Sequence, residues 1–183
     1  MKAAVGWWRT DTRLEYHRDA STFQEKTAEA NTVPSLVEKQ RLVVTAADKI
    51  MATFGPDEGY VVEPETGLVI ASRSLLAHDM TSLAWLIENR KNAPEDEKSA
   101  RKDPYSSQRT INALNRAGVM MLGGAKHVAR TEKLVRNDID SVMDDRVIKR
   151  AVEIVGGKPD IEFRTANDNV PAQILDRLKK GVS

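Results

Sequence analysis

The stretch Tyr60-Val61-Val62-Glu63-Pro64-Glu65-Thr66-Gly67-Leu68-Val69-Ile70-Ala71 decides the fold class, because it is the place where the sequence indicates β-structure. Two runs rich in β-branched residues flank a turn that contains proline and glycine, and this order predicts a β-hairpin over residues 60–71. An isolated hairpin is marginal in water, so we expect it to pack on the helix before it or the helix after it.

A helix is predicted before the hairpin. Ser35 and Glu38 form a Ser-x-x-Glu capping box, and apolar residues then recur at helical spacing. This pattern predicts an amphipathic helix over residues 36–54, ended by Gly55-Pro56. A stripe of this width usually faces a core, although it also suits packing against a partner subunit.

A second helix is predicted after the hairpin, over residues 80–90, with Asp79 or Thr81 as its N-cap. Its apolar residues also cover a wide face. Beyond residue 106 the apolar spacing is again helical, apart from a short run at 161–163 that we expect to be extended. The predicted fold is therefore mainly α (α+β), a helical domain with one β-hairpin near residues 60–71.

The back half is predicted to contain four helices. The first three cover residues 110–117, 125–137 and 139–155, and Gly156-Gly157 ends the third. The fourth helix begins after Pro171, which follows a predicted turn at Asn167-Asp168-Asn169.

Composition divides the chain into five parts. These are an N-terminal arm over 1–31, a helix-hairpin-helix region over 32–91, a polar linker over 92–106, a helical basic region over 107–157 and a C-terminal tail with a short helix over 158–183. The arm carries Trp7 and Trp8, and we expect these aromatic residues to dock on the main body; the alternative is a disordered or partner-bound segment. The linker separates two halves, although both halves could share one core.

Composition also excludes several classes of protein. The chain has no cysteine, which excludes a disulfide framework, a thiolate metal site and a cysteine nucleophile. No apolar stretch approaches the roughly 18 residues needed to span a bilayer, so we expect a cytoplasmic protein with no membrane partner. Because the net charge is only +1, binding to nucleic acid would need a local concentration of positive charge.

Such a concentration lies between residues 109 and 136, where six Lys or Arg face a single acid, Glu132. Two helices joined by a glycine turn can place cations and backbone amides against a phosphate backbone, while an Asn reaches a base edge or a sugar. The predicted nucleic-acid-binding residues are Arg109, Asn112, Arg116, Lys126, Arg130, Lys133 and Arg136. The alternative is a solvated basic face whose apolar residues, Leu114 among them, belong to a core.

The run Ser107-Gln-Arg109-Thr-Ile-Asn112-Ala-Leu114-Asn-Arg116-Ala117-Gly118-Val119-Met-Met-Leu122-Gly123 resembles the first helix and turn of the C-terminal domain of the bacterial RNA polymerase α subunit. The resemblance implies that Arg109 and Asn112 match positions which contact the DNA minor groove. It covers residues 107–123. The family's second hairpin has an Asn, an aliphatic residue and a Gly before basic residues, whereas this chain continues Asn137-Asp138-Ile139-Asp140.

Catalytic motifs are weak. The three histidines, His17, His78 and His127, have no metal-ligand spacing, and each is expected to be a surface residue or a satisfied one. Asp57 and Asp96-Glu97-Lys98 resemble the pattern of metal-dependent nucleases, in which two carboxylates hold a divalent ion and a lysine assists. The setting does not fit this pattern, because Asp96 and Lys98 lie in a polar linker rather than on a strand. A further acidic group is expected to cap or solvate the third back-half helix rather than bind a cation: Asp138, Asp140, Asp144 and Asp145. No catalytic residue, metal or cofactor is predicted.

The leading hypothesis is a small non-enzymatic bacterial accessory protein that contacts DNA or RNA, or a nucleic-acid machine, through residues 109–136. The alternative is a protein-interaction or assembly component whose apolar helices, over 36–54 and 80–87, bind a protein partner or a second copy. An enzyme ranks third.

Overall fold

A computed structural model of the chain describes residues 23–53, 59–98, 113–114, 117–118, 120–121, 124–126 and 139–183. Within these ranges the helices are α1 (Phe23–Asn31), α2 (Pro34–Val37), α3 (Leu75–Arg90), α4 (Glu95–Lys98), α5 (Arg146–Val155) and α6 (Ala172–Val182). The strands are β1 (Val43–Ala47), β2 (Ile50–Met51), β3 (Val61–Val62) and β4 (Leu68–Ser72). This mainly helical α+β architecture with a hairpin confirms the predicted fold class.

The four strands form one antiparallel ribbon in two nested pairs. β1 pairs with β4, with Thr45 opposite Ile70, and β2 pairs with β3, with Ile50 opposite Val62. The strands expected near residues 60–71 are therefore present, but each pairs with the segment 43–51 rather than with the other. The chain reverses direction between β2 and β3. Asp48 and Lys49 connect β1 to β2, and across the ribbon from them residues 63–67 connect β3 to β4.

The predicted helix over residues 36–54 is wrong. The short helix α2 begins at a proline, its N-cap Val33 makes no side-chain cap hydrogen bond, and β1 follows six residues after Val37. Val43, Val44 and Thr45 are β-branched, which suits a pleated, half-buried surface better than a helix. Their pairing with β4 is a long-range interaction that helical spacing in the local sequence does not reveal.

The helix after the ribbon starts earlier than predicted. α3 begins at Leu75, and its N-cap is Ser74, whose hydroxyl accepts a hydrogen bond from the Ala77 amide at 3.2 Å. The two residues expected as caps have other partners. Thr81 donates its hydroxyl to the Ala77 carbonyl at 2.8 Å, and the Asp79 carboxylate lies 3.3 Å from the His78 ring.

The pattern over residues 139–155 is split into two elements. A 3-10 turn (Val142–Asp144) precedes α5, and Asp145 separates them in an extended conformation. The Asp145 carboxylate accepts a hydrogen bond from the Ile148 amide at 2.8 Å, and that of Asp144 accepts one from the Ser141 amide at 2.8 Å. This backbone hydrogen bond is the main reason that the pKa of Asp144 is lowered. Two of the acidic residues therefore act as caps, as predicted.

The remaining predictions for the tail are largely confirmed. Gly156 ends α5 with a φ of 83°, a left-handed conformation that favours glycine. The Asn169 amide donates to the Asn167 side chain at 3.2 Å in the expected turn, and α6 follows Pro171. The segment 161–163 forms no strand.

One buried cluster unites the front and back halves of the chain. Met80 of α3 is 0% exposed and belongs to the same cluster as Ala28 of α1, Ala151 of α5 and Leu178 of α6. The inner face of the ribbon packs on this cluster. The sequence left open whether the two halves are separate or share one core, and the structure shows that they share one core.

The start of the predicted linker packs against the end of the ribbon. Ala93 is buried in a small second cluster with Ala52 and Val62 at the end of the ribbon. The helix α4 follows directly, so the polar composition of 92–98 does not indicate a free linker there.

Candidate functional site

The predicted nucleic-acid face lies mostly outside the described residues. Of its members the structure describes Lys126, which is helical and exposed. The other predicted contacts fall outside the described ranges: Arg109, Asn112, Arg116, Arg130, Lys133 and Arg136.

The described parts of this segment locate its turn. Residues 113–114, 117–118 and 120–121 are helical, so helical structure extends past Gly118. The turn comes at Gly124, which has a φ of 76° and whose amide donates to the Met120 carbonyl at 2.8 Å. A left-handed glycine after a helical stretch is a typical C-terminal cap. Helical structure is therefore present as far as residue 121, beyond the predicted helix end at residue 117, and the turn between the two predicted helices is at Gly124, before helical structure resumes at Ala125.

The described apolar residues of this segment are exposed. Leu114 is 72% exposed and Met121 is 89% exposed, with Met120 also on the surface. None of the three belongs to either buried cluster. The expectation that Leu114 belongs to a core is wrong, so the described part of the segment presents both apolar side chains and Lys126 at the protein surface.

The outer face of the ribbon is a second exposed surface, which sequence reasoning missed. Val44 is 54% exposed and Val69 is 74% exposed, and on the same face Ala46 and Ala71 are exposed as well. Met51 and Val61, which pair with each other on β2 and β3, are exposed as well. The β-branched run Val43-Val44-Thr45 could have indicated a strand with two faces, but the helical interpretation of 36–54 left it unused.

Charges border this outer face at its two ends. Arg73 follows β4 at one end, and Asp48 follows β1 at the other. Beside Asp48, Lys49 forms an ion pair of 2.9 Å with Glu63, and the hydrogen bond that its ammonium donates to the Glu63 carboxylate raises the pKa of Lys49. Both partners are exposed, so this pair contributes little to stability.

A polar stripe runs along α3. His78, Ser82 and Trp85 are spaced by four and three residues and therefore share one side of the helix. Within the described part of the chain, the Ser82 Oγ and Trp85 Nε1 atoms are buried without a hydrogen-bond partner, whereas the His78 ring interacts with the Ile70 backbone. His78 is 4% exposed, and burial lowers the pKa of its imidazole, so the ring is neutral at pH 7. The His78 ring lies beside the Asp79 carboxylate and the Ile70 backbone, so of the two expectations for this histidine the surface position is wrong.

An open cleft of about 430 Å³ lies where α3 begins and α5 ends. Its lining includes Ser74, Gly156 and Lys158. The Lys158 ammonium already donates to the Ser183 carbonyl at the end of α6. Among the described residues, no group of three or more His, Asp or Glu has the arrangement to hold a metal ion.

Comparison with known proteins gives one match. Residues 1–84 match the family model of DUF362, a domain of unknown function. This region includes the ribbon and the first part of α3, and it does not reach the basic segment. Neither the curated proteins nor the solved structures contain a match to the chain. No helix in the described ranges is long and apolar enough to cross a membrane.

Proposed function

We propose that this protein is a non-enzymatic cytoplasmic binding protein that contacts nucleic acid, or a machine that handles nucleic acid, through the segment 107–136. The observation that carries the proposal is the exposure of the described part of this segment. Lys126 and its described neighbours are exposed or half-buried, and none contributes to a buried cluster. A segment of this kind is available to a partner.

The distribution of charge supports an anionic partner. Six of the 28 Lys and Arg but only one of the 27 Asp and Glu lie within 109–136, so this segment carries +5 and the rest of the chain −4. Positive charge concentrated on a segment of an otherwise acidic protein favours phosphate contact there and disfavours it elsewhere.

The turn at Gly124 adds a structural reason. A helix that starts directly after a left-handed glycine presents free backbone amides, and Ala125 and Lys126 occupy that start. Backbone amides and a nearby cation are the groups that bind phosphate oxygens at helix starts.

Fluorescence anisotropy with a labelled 20-base-pair duplex and a labelled single-stranded RNA tests the proposal. If the six cations of the segment all contact phosphates, affinity for the duplex falls about a thousandfold between 50 and 200 mM salt. Changing Arg109, Arg116 and Arg130 to Ala should weaken binding strongly. The matched control changes three exposed lysines elsewhere to Ala: Lys39, Lys149 and Lys179. Equal affinities of the two triple variants would refute the proposed face.

A second candidate is a protein-interaction or assembly component, favoured by the exposed side chains of Leu114, Met120 and Met121. Exposed methionines and leucines on a helical segment are typical of surfaces that bind protein partners. Binding of this kind would be insensitive to salt and lost in Leu114→Asp or Met121→Asp. The helix over 80–87, which the alternative hypothesis also named, contributes Met80, Ala84 and Trp85 to the buried core.

A further inference from the structure

The outer face of β1 and β4 has a regular pattern of large and small side chains. Val44 lies opposite Ala71, and Ala46 lies opposite Val69. Neither strand contains a charged residue. The two valines therefore project at diagonal corners of the face, and the two alanines leave shallow positions at the other corners.

This pattern is self-complementary. A two-fold axis that runs across the strands, over the Thr45–Ile70 pair, brings a second ribbon face to face with the first and antiparallel to it. In that arrangement Val44 lies over Ala46 of the second copy, and Val69 lies over Ala71 of the second copy. Packed sheets gain stability when large side chains interdigitate with small ones, and a two-fold axis forms each such contact twice.

The charges at the ends of the face are complementary in the same arrangement. Arg73 lies just beyond one end and Asp48 just beyond the other, so the antiparallel copies bring them together at both ends. Gly67 lies beside Asp48, and a Cβ atom at Gly67 would be 3.0 Å from the Asp48 Cβ, so the glycine itself places no side chain over Asp48. Within the described part of the chain, Arg73 and Asp48 form no ion pair with each other or with another residue.

We infer that a second copy of the chain docks on this outer face, antiparallel and face to face, through Val44, Val69 and the Arg73–Asp48 contacts. This inference is independent of the proposed nucleic-acid function, because it involves different residues and concerns a different partner.

The size of the face sets the expected strength of the dimer. The two-fold axis over Thr45–Ile70 overlaps the five residue pairs of β1 and β4, which at about 3.4 Å each and about 10 Å across give a footprint of roughly 170 Å² per copy. The two copies together bury about 340 Å², which is well below the roughly 1,200 Å² of stable complexes. The expected state is a weak monomer–dimer equilibrium with a dissociation constant of roughly 0.1–1 mM.

Sedimentation equilibrium of the full chain without nucleic acid, from low micromolar to millimolar concentration, tests the inference. The mass should rise from 20.4 kDa towards twice that value with increasing concentration. Val69→Asp should weaken association about tenfold or more, because it buries a charge against Ala71 and brings two acids to one interface. Val155→Asp is the matched control, since Val155 is an exposed valine at the end of α5. Circular dichroism confirms that both variants are folded.

Charge reversal gives the sharpest outcome. Arg73→Glu alone and Asp48→Arg alone should each be monomeric, because each brings like charges together twice. An equimolar mixture of the two variants should form a heterodimer, in which both contacts again join opposite charges. The double variant should also dimerise.

Three results would overturn the inference. The first is a wild-type mass that stays at 20.4 kDa up to about 1 mM, which would indicate that this face binds another protein or none. The second is association that Val69→Asp leaves unchanged. The third is a mixture of the charge-reversed variants that remains monomeric while the wild type dimerises.

Discussion

Truncation of Met80 tests whether the front and back halves of this protein unfold as one unit. Met80 is fully buried in the cluster that joins α1, α3, α5, α6 and the ribbon. Met80→Ala removes three heavy atoms from a site with no access to water, and substitutions of this kind cost about 2–5 kcal/mol of unfolding free energy. A cost near 3 kcal/mol corresponds to a fall in melting temperature of roughly 6–12 °C for a domain of this size.

Urea unfolding followed by circular dichroism and by tryptophan fluorescence measures this effect. Both probes should show one coincident transition in the wild type, shifted to lower urea by about 1–2 M in Met80→Ala. Met51→Ala is the matched control, because Met51 is an exposed residue of the ribbon and its truncation should change stability by less than about 0.5 kcal/mol. Separate transitions for the two probes, or equal effects of the two substitutions, would contradict the shared core.

Three further predictions follow from individual contacts. Because burial lowers the pKa of His78, the unfolded chain binds more protons there than the folded chain, so stability should fall as the pH drops below about 6.5. In melting curves recorded against pH, His78→Gln should flatten this slope and the control His127→Gln should keep it. An unchanged slope in His78→Gln would show that His78 does not cause the pH dependence. Gly156→Ala should cost about 1 kcal/mol in urea unfolding because φ is 83°, and an unchanged midpoint would exclude strain there. The two hydrogen bonds of 2.6 and 2.8 Å from Arg146 to Glu25 should give a coupling energy of about 1 kcal/mol in a double-mutant cycle, and zero coupling would show that they do not contribute to the packing of α1 on α5.

Caps, helix ends and β-branched runs could be predicted from the sequence, because they depend on residues that are close together in the chain. Gly156 ends α5, Pro171 precedes α6, Asp145 caps α5, and Asp144 caps the start of its own 3-10 turn at Ser141, all within a few residues of the signal. The strands β3 and β4 were also predictable from β-branched runs. The fold class rests on these elements and was therefore correctly predicted.

Interactions between distant residues account for the errors. The segment 43–51 has apolar residues at helical spacing, but its strands gain more from pairing with 61–62 and 68–72, and single-sequence spacing does not report that pairing. The same error hid the outer face of the ribbon. Burial of His78 and exposure of Leu114 likewise depend on which elements pack together, and neither follows from the local pattern.

The salt dependence of nucleic-acid affinity tests the proposed function most directly. For a duplex contacted by six cations of the segment 109–136, the logarithm of the binding constant should fall against the logarithm of salt concentration with a slope of about −5. In the variant with Arg109, Arg116 and Arg130 changed to Ala, three contacts remain and the slope should be about −3. A slope near zero in the wild type, or the same slope in both proteins, would contradict nucleic-acid contact through this segment.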